Sequence, residues 1–127
     1  MQHETSKEHL QLKQKHNQVS RKHGKQIEEI GRKMQAQESL TEAGQNIEAA
    51  GRTVQEYTEI AQVHTNMAMA EEGEAANQNA EAATRFYIEA VHEHVEATKL
   101  YLEESKEYLE TAKAKLGESQ AHVDNAK

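Results

Sequence analysis

The chain has 127 residues, a formal net charge of −7, 29% charged residues, no Pro and no Cys, and a mean hydropathy of −1.00. Without Cys there is no disulfide framework, thiolate metal centre or cysteine nucleophile, and no apolar run approaches the ~18 residues of a membrane span. Leu, Ile, Val and Phe together supply 19 of the 127 residues, below the ~20% at which a highly charged chain reads as disordered, so any order must come from pattern.

The pattern is helical from the start. Thr5 and Glu8 have the spacing of a capping box. Leu10, Leu12 and Val19, then Ile27, Ile30 and Met34, form an apolar stripe at helical spacing. Residues 1–35 carry eight Lys or Arg and four Glu, whereas residues 36–127 have a net charge of −11. The stripe on this basic segment is the expected contact with a partner helix or with another copy of the chain. His9, His16 and His23, spaced by seven, share one face of the same helix.

Leu40, Ile47, Val54 and Ala61 then fall on one heptad position. Ala43, Ala50, Tyr57 and His64 lie three residues on, and Gly44 and Gly51 sit beside the seam. Ser39 and Glu42 form a second capping-box pair, compatible with a fresh helix start. The absence of Pro and the abundance of Ala, Glu, Gln and Lys favour instead one continuous helix over about 5–71. Near residues 72–79 the heptad phase shifts, large apolar residues disappear, and Gly73 offers a left-handed cap. A tight reversal is expected there.

From about residue 80 to 124 a second long helix is expected. Ile88, Val95, Leu102, Leu109 and Leu116 recur at every seventh position, as does Val123. Val91 and a series of small residues follow three positions after each, which is a heptad seam with large and small core layers. Tyr87, His94, Tyr101 and Tyr108 form a flanking row. The expected fold is therefore all-α: a long antiparallel helical hairpin, coiled-coil-like with a small-residue seam, assembling into a larger bundle. A turn centred near residue 75 sets Tyr101 near Gly51 and Tyr108 near Gly44, so the glycines would form notches for the tyrosine rings. It also sets His64 near Phe86 or Tyr87, and His94 near Tyr57. These two histidines are candidate pH-sensitive residues, because burial disfavours the protonated ring. Residues 1–23 would overhang the end of the second helix.

No enzymatic chemistry is expected. Gly24, Gly31, Gly44 and Gly51 are too widely spaced for a phosphate loop, no Ser stands in a nucleophile elbow, and a two-helix rod encloses no pocket. Glu89 and His92 have the Glu-x-x-His spacing of di-iron bundles, but the chain lacks the second copy such a site needs; no metal, cofactor or small-molecule substrate is expected. The basic segment has no aromatic residue for base stacking, and the acidic remainder would repel phosphates, which argues against nucleic acid. No charged-then-apolar leader is evident, so the expected setting is cytoplasmic, or secreted without a cleavable signal.

In size and hairpin form the chain resembles the small helical-hairpin proteins of bacterial specialised secretion, the type VII substrates and their helical targeting partners, although their Trp-x-Gly turn has no counterpart here. Two functions follow. The first is a non-catalytic structural module that self-associates or docks on a helical partner through its heptad seams. The alternative, implied by the resemblance, is an adaptor, chaperone or substrate of such a secretion system that binds a larger cargo.

Overall fold

The computed structural model describes residues 2–126, with side chains from Lys7 onward. It comprises α1 (Gln2–Met34), a single 3-10 turn (Glu38–Leu40), α2 (Thr41–Ala70) and α3 (Gly73–Ala126). The fold is all-α, and α2 packs along both α1 and α3. The expected hairpin is present as α2 with α3. A second hairpin, α1 with α2, adds a third helix to it.

The second hairpin arises because the helix expected over 5–71 is divided. After Met34 the backbone tightens, with Ala36 N–H donating to Lys33 O and Gln37 N–H to Met34 O. Thr41 Oγ1 donates to the carbonyls of Gln37 and Glu38 as α2 begins. Neither Pro nor Gly marks the break. Gln35-Ala36-Gln37-Glu38-Ser39 offers no large apolar side chain to hold a continuous helix against a neighbour, and reversal lets Ile27 and Met34 pack with Ile47 and Val54. The Ser39–Glu42 signal therefore lies at a real helix boundary. At the other end, α1 begins at Gln2, ahead of Thr5, whose side chain lies outside the described residues.

The reversal between α2 and α3 is shorter than 72–79. Glu71 is extended and its N–H donates to Met67 O, and Gly73 takes φ +70, a left-handed conformation that costs Gly little and other residues more. Asn79 lies in the second turn of α3. Its Nδ2 donates to Glu71 and its Oδ1 accepts from His64 Nδ1, at 3.0 and 2.9 Å. These bonds tie both sides of the turn together.

Because α1 doubles back, residues 7–23 do not overhang. Leu10, Asn17 and Ser20 are buried, Lys13 Nζ donates to Thr84 Oγ1 on α3 at 2.7 Å, and Arg21 pairs with Glu59 on α2. The overhang is at the opposite end of the chain, where every described residue of α3 from Lys106 onward is exposed.

α1 and α2 meet almost backbone to backbone. A Cβ on Gly31 would stand 2.3 Å from Glu48 N and 2.6 Å from Gly44 O, and one on Gly51 would stand 2.3 Å from Glu28 N. Glycine in a helix costs about 0.5–1 kcal/mol relative to Ala; here the absent side chains permit an approach that buries Ile47 and Val54 to 1% and 0% exposure. The notches at Gly44 and Gly51 are thus occupied by α1 itself, and not by Tyr108 and Tyr101.

Candidate functional site

The same small-residue logic governs how α3 joins the bundle, with an inverted result. The face of α3 that packs inward is built from Ala82, Ala83, Ala90 and Ala97, with Phe86 and Leu100 partly buried beside them. On this helix the large heptad residues point the other way. Ile88 is 57% exposed, Leu102 61% and Leu116 72%, and Val91, Val95, Tyr101, Tyr108, Leu109 and Val123 are exposed as well. The expected seam therefore divides. Its α2 half is internal, with Gly44, Ile47, Gly51, Val54 and Ala61 buried and Leu40 and Tyr57 partly so. Its α3 half, Ile88 to Leu116, lies on the surface. Alanines spaced by seven turn inward where α3 lies closest to α2, and Phe86 fits between them against Tyr57 and His64.

The N-terminal stripe also divides. Leu10, Ile27 and Met34 are internal and Leu12, Val19 and Ile30 are exposed, so these six residues do not form one surface. Ile30 does adjoin the α3 stripe, since it lines a groove with Ile27, His94, Thr98 and Tyr101.

Aromatic and imidazole rings fill the junctions between helices. His64 stacks on Phe86, with ring centroids 5.8 Å apart and planes within 4°, in the expected register. His94 does not meet Tyr57. It faces His23 of α1 at 5.2 Å, an arrangement that only the added hairpin permits, while Tyr57 approaches Phe86 at 6.1 Å. Burial, and then the neighbouring His23, hold the His94 pKa below its ordinary value. Of the His9, His16 and His23 row, His16 meets Tyr87 across the bundle at 6.2 Å. Glu89 and His92 are both exposed.

A polar girdle surrounds the glycine contact and has an internal symmetry that heptad counting does not detect. Gln35 Nε2 donates to Gly31 O and to Glu48; correspondingly, Gln55 Nε2 donates to Gly51 O and to Glu28. Arg32 pairs with Glu28 and Arg52 with Glu48. The Gln35 hydrogen bond, then Arg52, hold the Glu48 carboxyl below its ordinary pKa. The signal in the sequence is a short repeat: Gly24-x-x-Ile27-Glu28-x-x-Gly31-Arg32-x-x-Gln35 recurs as Gly44-x-x-Ile47-Glu48-x-x-Gly51-Arg52-x-x-Gln55. Two copies of one motif packing antiparallel about a local twofold would have revealed the α1–α2 hairpin.

No protein-family model, no curated protein and no solved structure matches the chain. Among the described residues, no helix is long and apolar enough to cross a membrane. The feature most in need of a function is the apolar stripe of α3. It runs along a helix of 54 residues, and every described residue of that helix from Lys106 onward is exposed.

Proposed function

We propose that the protein is a non-catalytic interaction module: a three-helix head that presents α3 as an association helix and uses it to bind a further copy of the chain. The supporting observation is that Ile88, Val95, Leu102, Leu109, Leu116 and Val123 keep heptad spacing while lying on the face of α3 turned away from α1 and α2. A sustained heptad of large aliphatics is the pattern by which helices associate, and an exposed apolar face of this extent marks an interaction surface on a soluble domain. The small-residue core gives the same indication, because a thin core normally gains stability from assembly.

Light scattering tests this. The wild-type chain should have at least twice its 14.3 kDa chain mass at micromolar concentration. Leu102→Glu/Leu109→Glu, which changes only exposed positions on the outer face of α3, should return it to the monomer mass while the far-ultraviolet helix signal of the head persists. A wild-type chain that stays monomeric up to hundreds of micromolar would refute self-association.

A further inference from the structure

We infer that the second copy lies antiparallel on α3, so that the projecting end of each helix runs along the outside of the other copy's head. This rests on the self-association proposed above and specifies its geometry.

The first argument is volume. The heptad residues of α3 are large at one core position (Leu102, Leu109) and small at the other (Ser105, Ala112). A parallel pair sets each layer against itself, so large-on-large layers alternate with Ser-on-Ser and Ala-on-Ala layers that leave voids. An antiparallel pair sets one core position against the other. Leu102 then meets Ala112 of the other copy, Leu109 meets Ser105, and Val95 meets Ser119. Nearly every layer holds one large and one small residue, the alternation that fills a core evenly.

The second argument is support. From Lys106 to Ala126 every residue of α3 is exposed, and a protein helix draws most of its stability from tertiary packing, which this end largely lacks. Antiparallel pairing places that end against Ile88, Val91 and Val95, where α3 is held by the head. Parallel pairing places it only against its equally unsupported counterpart.

Charge favours the same arrangement. Residues 81–104 carry six Glu against Arg85 and Lys99, whereas residues 105–127 carry four acidic and four basic residues. Antiparallel alignment sets the acidic half against the balanced half and opposes the two helix dipoles; parallel alignment sets acidic against acidic. The footprint is sufficient. Residues 88–126 span roughly 57 Å at ~1.5 Å per residue, and a helix is ~10 Å wide, so the pair buries on the order of 1,200 Å², the lower bound of a stable interface.

The chain has no cysteine, so disulfide trapping reads the geometry directly. Val95→Cys/Ser119→Cys, oxidised gently in the full chain, should migrate as a covalent dimer on a non-reducing gel. Val95→Cys alone and Ser119→Cys alone should remain at the single-chain mass. Positions 95 and 119 of one helix are roughly 36 Å apart, so the doubly substituted chain cannot close on itself, and both positions are exposed. A covalent dimer from either single substitution would overturn the antiparallel arrangement and leave self-association standing. A chain of dimer mass that no substitution traps would also overturn this register. A monomeric wild-type chain would remove both proposals.

Discussion

The α1–α2 contact and the outer face of α3 are made of the same material, aliphatic residues and small residues at heptad spacing, and they differ in which of the two meets its neighbour within the fold. Between α1 and α2, glycines bring the backbones together and Ile27, Met34, Ile47 and Val54 close over one another. On α3 the fully buried residues are alanines, with Phe86 and Leu100 partly buried beside them, and the heptad aliphatics are left outside. A heptad seam alone therefore does not say whether it is an internal core or an interface. What decides is the size of the residues on the other faces of the helix. α2 packs along both α1 and α3, whereas α3 turns an alanine-rich face to the head and carries a separate aliphatic face outside it.

The largest test of this contrast is at the glycines. Gly31→Leu and Gly51→Leu each place a side chain into the backbone of the facing helix and should destabilise the chain by about 3–5 kcal/mol in urea titration, in the range reserved for disrupted cores. Wild-type stability in either variant would mean that the backbones do not approach as described. Next in size is truncation of the two kinds of aliphatic. Ile47→Ala should cost about 2–5 kcal/mol, as buried aliphatic truncations do. Leu116→Ala should stay within about 0.5 kcal/mol at concentrations where the chain is monomeric, while weakening association at higher ones. Equal costs under dilute conditions would erase the distinction between inner and outer seams.

A smaller test depends on sign. Gly117 lies on the projecting end of α3 with nothing within 4 Å of a would-be Cβ, so Gly117→Ala should raise helicity and add about 0.5–1 kcal/mol. Gly31→Ala gains the same helix propensity but meets backbone atoms closer than 3 Å, and should lower the melting temperature. Should both raise it, the glycines of the α1–α2 contact are merely tolerated.

The all-α class, the reversal near Gly73 and the His64–Phe86 register were legible in the sequence because each rests on local pattern: helix propensity, a phase shift with a left-handed glycine, and residue counting across a hairpin. The break after Met34 was signalled only by the Ser39–Glu42 pair and by the repeat of Gly24–Gln35 as Gly44–Gln55, because Gln35 to Ser39 contains no residue that forbids a helix; the chain turns there through what it gains elsewhere. That one missed turn explains the other differences. Once α1 folds back, Gly44 and Gly51 receive α1 instead of tyrosine rings, His94 meets His23 instead of Tyr57, and the overhang passes from the first residues to the last. The heptad on α3 was plain, but its orientation was not. Ala83, Ala90 and Ala97 are spaced by seven as well, and hydrophobicity alone ranks them below the aliphatics that they displace from the head.

The His23–His94 contact gives the finest test, because it exists only if α1 folds back. Burial and the neighbouring imidazole keep the His94 pKa below its ordinary value of 6.5, so the folded chain favours the neutral ring and the unfolded chain binds the proton more readily. Wherever the unfolded state holds more protons, stability rises with pH. The contribution of neutral His94 is therefore complete well above 6.5 and is lost as the pH falls through that value, levelling off below the folded pKa. Glu48 does not confuse the reading, since its lowered pKa keeps it ionised above its ordinary 4.5 and its contribution fades only in more acidic solution. The melting temperature should be lower at pH 5.5 than at pH 7.5, with the difference partly flattened in His94→Gln. The effect should be modest, because His94 is only partly covered and water screens its charge. An identical pH slope in the variant would place His94 in solvent, away from His23; a flattened slope ties an acid-sensitive contact of the head to the α1–α2 hairpin.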